Sequence, residues 1–425
     1  MPDTIFALSS GGPPAAIAVI RISGDAAGEA LELLAGTRPQ PRKAALRSLK
    51  GSDGLLLDRA LVLWFPGPAS ATGEDLAELH LHGGRAVVAS VEGVLAGMTK
   101  LRRATPGEFT RRAFANGRID LAEAEGLADL LEAETELQRR SALALAGGAL
   151  SRQVEDWRER VLALSASVEA VLDFSDEDDV AALPTDFGGR TGELVAEIRA
   201  WLERPRAGIL REGFKVVLGG PPNAGKSSLF NMLLESDAAI VSPLAGTTRD
   251  VLSRSVAIEG VPFQFFDTAG VRENASDPVE GEGIERAQRA IGNADLVLWL
   301  GPEGEGPGGA WEIETRSDVE ERERKARPRH VVSALTGEGV APLLTDLAET
   351  ARAAMPGPGE VALNDRQGQL LDLATRALSD TASQRDPLLA AEDLRSARVA
   401  FDALLGRTTT EDMLDALFGR FCIGK

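Results

Sequence analysis

Lys226 and Ser227 stand near the end of a run, Gly219-Gly220-Pro221-Pro222-Asn223-Ala224-Gly225-Lys226-Ser227-Ser228, with the residue types and spacing of a phosphate-binding loop. Gly220 and Gly225 let the backbone turn tightly and aim a row of N–H groups at phosphate oxygens. Lys226 reaches the β and γ phosphates, and the Ser227 hydroxyl takes one Mg2+ position. The apolar run from Phe214 to Leu218 predicts a strand before the loop, and Ser228 to Leu234 predicts a helix after it. The bland alternative is a glycine-rich turn that contains Gly-Lys-Ser by chance; strand, loop and helix all agree with the motif instead. A nucleoside triphosphate is the expected ligand, held by Asn223, Ala224, Gly225, Lys226, Ser227 and Ser228.

The run Val261 to Phe266 predicts a second strand, ending in Asp267-Thr268-Ala269-Gly270. An aspartate so placed meets Mg2+ through water, and a glycine amide faces the γ-phosphate. Between the two motifs lies Ala245-Gly246-Thr247-Thr248-Arg249-Asp250, where the Thr248 hydroxyl completes the magnesium shell from a switch loop, or else serves as an ordinary cap or turn. Together these make a GTPase-type domain. Base recognition departs from the usual pattern: where Asn-Lys-x-Asp is expected, the chain reads Thr315-Arg316-Ser317-Asp318. Asp318 still accepts from the N–H donors of guanine. Thr315 and Arg316 are poorer substitutes for an asparagine that braces the loop and a lysine that packs on the base, and a plain polar loop is the alternative. Ser333-Ala334-Leu335-Thr336-Gly337-Glu338-Gly339, after the strand His330-Val331-Val332, supplies a second base-contacting loop, with Ser333, Ala334 and Leu335 as the expected contacts. Ras-like enzymes orient the attacking water with a glutamine just after Asp-x-x-Gly; here Val271 stands there and neither donates nor accepts, so another group must serve.

A chain of 425 residues has room for about two to four domains. Its one cysteine, Cys422, excludes an intramolecular disulfide and suits a reducing cytosol. No apolar run approaches the ~20 residues of a membrane span, and no charged leader precedes an apolar core, so a soluble, cytoplasmic protein without membrane contact is expected. The formal net charge of −19 argues against indiscriminate nucleic-acid binding but leaves room for a local patch. One candidate runs from Lys100 to Arg118, where Lys100, Arg102, Arg103, Arg111, Arg112 and Arg118 face the single acid Glu108. It is either a polyanion-binding segment or a solvated helix face.

Residues 1–118 mix short β-branched runs, turns and helical stretches, which predicts an α+β domain. From Ile119 the pattern is helical: Leu127, Leu130, Leu131, Leu137, Val154, Trp157, Val161, Leu164 and Val168 recur at three- and four-residue spacing, with a break near Gly147-Gly148. A second helical block begins at Asn364. The economical reading is a helical domain of residues 119–210 and 356–425 with a Ras-like P-loop GTPase domain, 211–355, inserted into it and built on a mainly parallel sheet. The biased stretch from Gly301 to Gly309 is expected to be a mobile loop.

End to end, the chain resembles the tRNA-modification GTPases of the MnmE (TrmE) family. The likeness covers Asp3-Thr4-Ile5, Val19 to Gly24, Gly73-Glu74-Asp75 to His82-Gly83-Gly84, Thr105-Pro106-Gly107-Glu108-Phe109-Thr110 and Asn116-Gly117-Arg118-Ile119-Asp120-Leu121. It also covers Asn223 to Ser227, Gly246 to Asp250, Asp267 to Arg272 and the terminal Phe421-Cys422-Ile423-Gly424-Lys425. The resemblance implies an N-terminal folate-binding and dimerisation domain, a central helical domain, and a GTPase domain that needs Mg2+ and K+ as well as GTP. It implies folate contacts at Arg21, Glu78, Arg118 and Lys425 for a 5-formyl- or 5,10-methylene-tetrahydrofolate. The family usually has lysine where Arg118 stands, which keeps the charge and changes the donor geometry. Glu280 is implied as the water-orienting residue, with Glu282 close enough to leave the assignment open. Potassium ligands are implied at Asn223, Ser242, Leu244 and Thr247, magnesium ligands at Ser227 and Thr248, and switch stabilisation at Arg249 and Arg272. The resemblance further implies a homodimer and a flavin-dependent MnmG partner in a heterotetrameric or larger complex, acting on the wobble uridine of tRNA. Cys422 is either a participant in that chemistry or a lone buried thiol. An RNA-binding assembly GTPase and a regulatory scaffold are the competing classes; the first has no use for Arg21, Glu78 and a Cys-Ile-Gly-Lys tail, and the second should fail to hydrolyse GTP even with potassium.

Overall fold

The computed structural model describes residues 3–173, 183–205, 207–235, 239–241, 253–267, 291–319, 324–357 and 359–425. They form two compact units, Met1–Ala128 with Asp402–Lys425, and Asp129–Phe401. The first is built on strands β1 (Thr4–Leu8), β2 (Ile17–Ser23), β3 (Ala45–Lys50), β4 (Leu56–Phe65), β5 (Leu76–His82) and β6 (Leu101–Arg103), in the order β3-β4-β5-β2-β1-β6. All neighbours are antiparallel except β1 and β6, which helix α2 (Arg85–Ala96) makes possible by carrying the chain back from β5. Alternation decides the faces. In β2, Ala18, Ile20 and Ile22 point into a core shared with Val62, Trp64 and Leu79, and helices α1 (Ala27–Ala35) and α2 close that side. Ile17, Val19 and Arg21 therefore point to the other face, beside Glu78, His80 and His82 of β5.

Helix α3 (Glu108–Ala115) packs on the last helix of the chain, Glu411–Phe418. In α4 (Leu121–Glu132) the buried Leu121, Ala124 and Ala128 meet Leu414, Leu417, Phe418 and Phe421; Leu127 and Leu130 are half-buried and Leu131 is exposed. Small residues face the phenylalanines because two large layers would not fit there. The tail then lies along the N-terminal residues: Ile423 bridges Pro106, and the Gly107 N–H points at the Cys422 carbonyl. Gly107 takes φ +67° and passes so close to Phe418 that a Cβ would sit 2.2 Å from its carbonyl oxygen.

The basic segment is spent on internal pairing. Arg112 reaches Asp3, Glu74 and Glu108; Arg102 reaches Asp3 and Glu108; Arg103 pairs with Glu92, Lys100 with Glu29, and Arg111 with Glu411 and Asp415. Of the six cations that suggested a polyanion patch, only Arg118 has no acidic partner among the described residues. Burial works against the charge on Glu108, yet the Arg102 guanidinium, the Thr105 amide and Arg112 outweigh it and hold the carboxyl down at about 2.

In the second unit, helix α5 (Glu136–Ala146) ends and α6 (Ala149–Asp173) begins at the expected break, Gly147-Gly148; α7 (Phe187–Leu202) comes next, and α6 buries Val154, Trp157, Val161, Leu164 and Val168. A sheet of seven described strands runs β13 (His330–Val331), β12 (Trp311–Glu314), β11 (Leu296–Trp299), β7 (Phe214–Gly219), β10 (Val261–Asp267), β9 (Ser253–Ile258), β8 (Ala239–Val241). From β13 to β10 it is parallel; β9 and β8 are antiparallel additions. Helix α5 holds both places where the chain crosses between helices and sheet. Its Gln138, already part of a capping box with Thr135, donates to the Leu210 carbonyl of α8 (Ala207–Glu212) at 2.9 Å, and Ser141 donates to the Glu360 carbonyl at 2.9 Å. The Ala207 N–H completes the junction on Leu363 at 3.0 Å. Residues 301–309, expected to be mobile, fold onto Trp299, whose indole N–H donates to the Pro302 carbonyl at 2.9 Å.

Two outcomes follow from the first unit. Gly107→Ala forces the 418–425 segment to move and should cost about 1–3 kcal/mol, read as a lower thermal midpoint and faster proteolysis of the C-terminus; an unchanged midpoint would mean the tail does not dock there. The depressed Glu108 carboxyl contributes stability that is complete above the ordinary carboxylate range and is lost as pH falls toward about 2. Urea midpoints taken at about pH 6 and about pH 3 should therefore differ less in Glu108→Gln than in the native chain, and an equal difference would assign the acid sensitivity to other groups.

Candidate functional site

Strand β7 is buried on both faces, with Phe214, Val216, Val217 and Leu218 all inside, as a central parallel strand must be. It delivers the chain into the loop 220–225 and then into α9 (Lys226–Glu235). Gly220 and Gly225 adopt φ +143° and +88°, and Asn223 takes +61°. The buried Lys226 donates to the carbonyls of Gly220 and Pro221 at 3.0 and 2.7 Å, so its ammonium is folded over the loop it starts from. Ser227 and Ser228 are exposed on the first turn of α9. The parallel register pairs Asp267 at the end of β10 with Leu218, one strand away from the loop. A hydroxyl and a carboxylate are hard oxygen donors, and Ser227 with Asp267 fits a magnesium ion. Ser242, Leu244, Thr247, Thr248, Arg249, Thr268, Ala269, Gly270, Arg272 and Glu280 lie outside the described residues.

The base-recognition candidates come together from two loops. The Ser333 hydroxyl donates to the Asp318 carboxylate and accepts from the amides of Leu335 and Thr336 at 3.2 and 3.1 Å. Ala334 lies between Ser333 and Leu335, and Leu335 is 81 % exposed, standing clear of the loop. The motif reading placed Glu338 in this loop without giving it a role: Ser317 donates to its carboxylate at 3.0 Å, and its carbonyl accepts from the Ser333 N–H. Nothing in the spacing signals that link. Thr315 and Arg316 turn away from Asp318, toward Ala224 and Asn223 of the phosphate loop.

A second polar group lies on the outward face of the N-terminal sheet. Arg21 and Glu78 are paired at 2.9 Å across β2 and β5, His80 lies 3.3 Å from the other Glu78 oxygen, and the Phe109 ring lies under the Arg21 guanidinium. His80 and Phe109 were not singled out by motif, although His80 shares a strand face with Glu78 two residues away. The tail passes nearby, for a Cβ on Gly424 would sit 2.1 Å from the Leu8 carbonyl oxygen, and Leu8 pairs with Ile20, the neighbour of Arg21. At the other end of β2, Ser23 bonds Thr72, whose carbonyl accepts from Asn116 in the turn that carries the exposed Arg118. Cys422 is exposed, which removes the alternative of a buried thiol. Among the described residues no helix is long and apolar enough to cross a membrane.

Comparison with known proteins covers the whole chain. The family model described as "MnmE helical domain" matches residues 121–422, and "GTP-binding protein TrmE N-terminus" matches residues 4–118. A protein of Erythrobacter litoralis named tRNA modification GTPase MnmE is 63% identical over 423 residues, covering 100% of both chains. Relatives of the same name from Novosphingobium aromaticivorans and Zymomonas mobilis are 60% and 49% identical, covering 100% and 99% of this chain and 100% of each relative. With a phosphate loop set between strand and helix, a parallel sheet, and similarity of this length and depth, the chain belongs to the MnmE family of tRNA-modification GTPases.

Proposed function

We propose that this GTPase uses potassium as its activating cation and, with a flavin-dependent MnmG partner, adds an aminomethyl-type (carboxymethylaminomethyl) group to the wobble uridine of certain tRNAs, taking a one-carbon unit from a tetrahydrofolate. The observation that carries the folate part is the pairing of Arg21 on β2 with Glu78 on β5, with the C-terminal tail passing against Leu8 of the adjacent strand β1. A pterin ring needs acceptors for its N–H donors, and its glutamate tail needs cations. Glu78 supplies the first; Arg118 and Lys425 supply the second, while Arg21 orients Glu78 through two donated hydrogen bonds. The exposed thiol of Cys422 sits in the same tail. The homodimer reading is supported by the outward sheet face, where Ile17, Leu46 and Leu61 are 60%, 55% and 46% exposed; a second copy of that face would cover them.

In hydrolysis, the loop amides and Lys226 bind the β and γ phosphates, and Ser227, Thr248 and Asp267 hold magnesium, directly or through water. Magnesium, when bound, offsets phosphate charge. Glu280 takes the water-orienting role that Val271 cannot fill. The Asn223 side chain is exposed and, with Ser242, Leu244 and Thr247, offers oxygens for a monovalent cation in place of an arginine finger, while Arg249 and Arg272 stabilise the switches. Asp318, held by Ser333, selects guanine.

GTP turnover should fall sharply when sodium replaces potassium at matched ionic strength, and Asn223→Ala should lose most of the potassium response, at about 2–4 kcal/mol in the barrier. Equal rates in the two salts would remove the cation role. Calorimetry should find 5-formyl-tetrahydrofolate bound in the micromolar range, binding lost in Glu78→Ala and weakened in Arg118→Ala, with GTP hydrolysis little changed. Well-folded protein that binds no folate would end the one-carbon reading. Absence of the wobble modification from cells lacking the protein tests the tRNA step directly.

A further inference from the structure

A second basic run lies earlier in the chain, and its charges are not neutralised. From Leu33 to Ser52 the sequence carries Arg38, Arg42, Lys43, Arg47 and Lys50 and no Asp or Glu, in a protein of formal net charge −19. The run from Lys100 to Arg118 meets carboxylates at every cation but Arg118. In the earlier run only Arg38 has an acidic partner among the described residues, Glu32 at 3.1 Å, and both side chains of that pair are exposed. An exposed ion pair contributes little and gives way to a stronger anion.

Aromatic rings and main-chain bonds hold these cations instead. Strand β4 ends at Trp64 and Phe65; the Arg38 guanidinium lies over the Trp64 ring, 4.6 Å from its centroid, and that of Arg42 lies over Phe65 at 5.9 Å. Arg42 takes φ +61° in the turn before β3, its N–H donates to the Trp64 carbonyl at 2.8 Å, and its guanidinium donates to the Ala69 carbonyl. Lys43 follows, exposed. These three cations bunch at the corner where β4 ends and β3 begins. Arg47 continues the row along β3, which pairs with β4 alone and is an edge of the sheet. Its guanidinium donates to the Leu46 carbonyl at 3.2 Å, while its Nε is shielded from water and has no acceptor among the described residues. An arginine in that state gains by turning toward an oxygen acceptor. A guanidinium laid on a ring keeps its full charge and its outward N–H donors. Lys50, at the far end of β3, alternates to the outward face with Leu46 and stays outside the row.

We infer that Arg38, Arg42, Lys43 and Arg47 form a docking surface for the sugar–phosphate backbone of tRNA. The inference rests on the reading that this chain acts on tRNA, and it names where the N-terminal unit would meet it. At the rise of a β-strand, Lys43 and Arg47 are about 13 Å apart along the edge. A nucleic-acid duplex carries one negative charge about every 3.4 Å along each strand, so several phosphates fall within reach of the row. The acidic remainder of the protein repels RNA and confines it to such a patch. Phosphate contacts of this kind supply affinity and orientation and leave the choice of sequence to other groups.

The test measures binding of the full-length chain to a fluorescently labelled tRNA transcript with uridine at the wobble position, by anisotropy across a salt series. The double variant Lys43→Gln with Arg47→Gln should bind about tenfold more weakly near about 0.1 M salt, and the slope of log K against log salt should fall in magnitude by about 2, one for each cation removed. Lys43→Gln alone, at an exposed side chain, should lower the slope by about 1. Arg47→Lys should keep most of the affinity, and Glu32→Gln, which removes the one carboxylate paired in the cluster, should strengthen binding about twofold to threefold. Thermal midpoints of the variants show that folded proteins are being compared. Equal affinity and slope in the native chain and both glutamine variants overturn the inference and place the RNA elsewhere. Weaker binding with an unchanged slope also overturns it, since no phosphate contact was lost, and so does a native chain that binds no tRNA at low salt. The reading beneath it is decided apart: wobble modification lost from cells lacking the protein keeps tRNA as the substrate whatever becomes of this surface, and modification intact there removes both.

Discussion

A phosphate loop works only when several backbone N–H groups converge on one point before the ligand arrives, and a glycine-rich turn left to itself does not converge. The polypeptide must therefore anchor the carbonyl side of the loop. In this chain the anchors come from two directions: Lys226 holds the Gly220 and Pro221 carbonyls from within, and Thr315 and Arg316 hold Ala224 and Asn223 from the loop after β12. The parallel sheet makes this possible, because β7, β10, β11 and β12 all end on the same side and bring their following loops together. Asp267 arrives by the same route.

The helical block answers a different constraint, that a module inserted into it must leave and return at one place. Helix α5 meets it with two side chains, Gln138 on the exit and Ser141 on the return, and a backbone bond from Ala207 to Leu363 ties the two passages together. Because Gln138 also closes the capping box at the start of α5, the same side chain that starts the helix positions the entry to the sheet. A change in one is felt by the other.

Charge in the N-terminal unit is organised inward. Within a protein of formal net charge −19, Asp3, Glu74 and Glu108 converge on Arg102 and Arg112 and join the first strand, the turn before β5 and helix α3. Arg112 is only 12 % exposed, so its three carboxylate partners are needed to offset its desolvation, and removing one would leave the others imperfectly matched. That leaves Arg118 exposed in a turn whose backbone is held by Thr72 and Asn116, and leaves Arg21 committed to Glu78.

Local sequence determined the elements that chemistry at a single turn requires. The phosphate loop between strand and helix, the alternation of β2 and the helical period of α6 were legible because each depends on residues within a few positions of one another. Strands β8 and β12 were not: they are three and four residues long, and partners distant in sequence decide them. Tertiary structure alone decided which arginines are free. A run of cations reads as a patch until Asp3, Glu92, Glu411 and Asp415 arrive from elsewhere in the chain, and Leu131 reads as core until Ala124 and Ala128 prove to be the positions small enough to meet Phe418. Tertiary structure also turned Thr315 and Arg316 from defects of a motif into bonds on the phosphate loop, because a hydrogen bond depends on where donor and acceptor meet in space, and Arg316 and Asn223 are 93 residues apart in the chain.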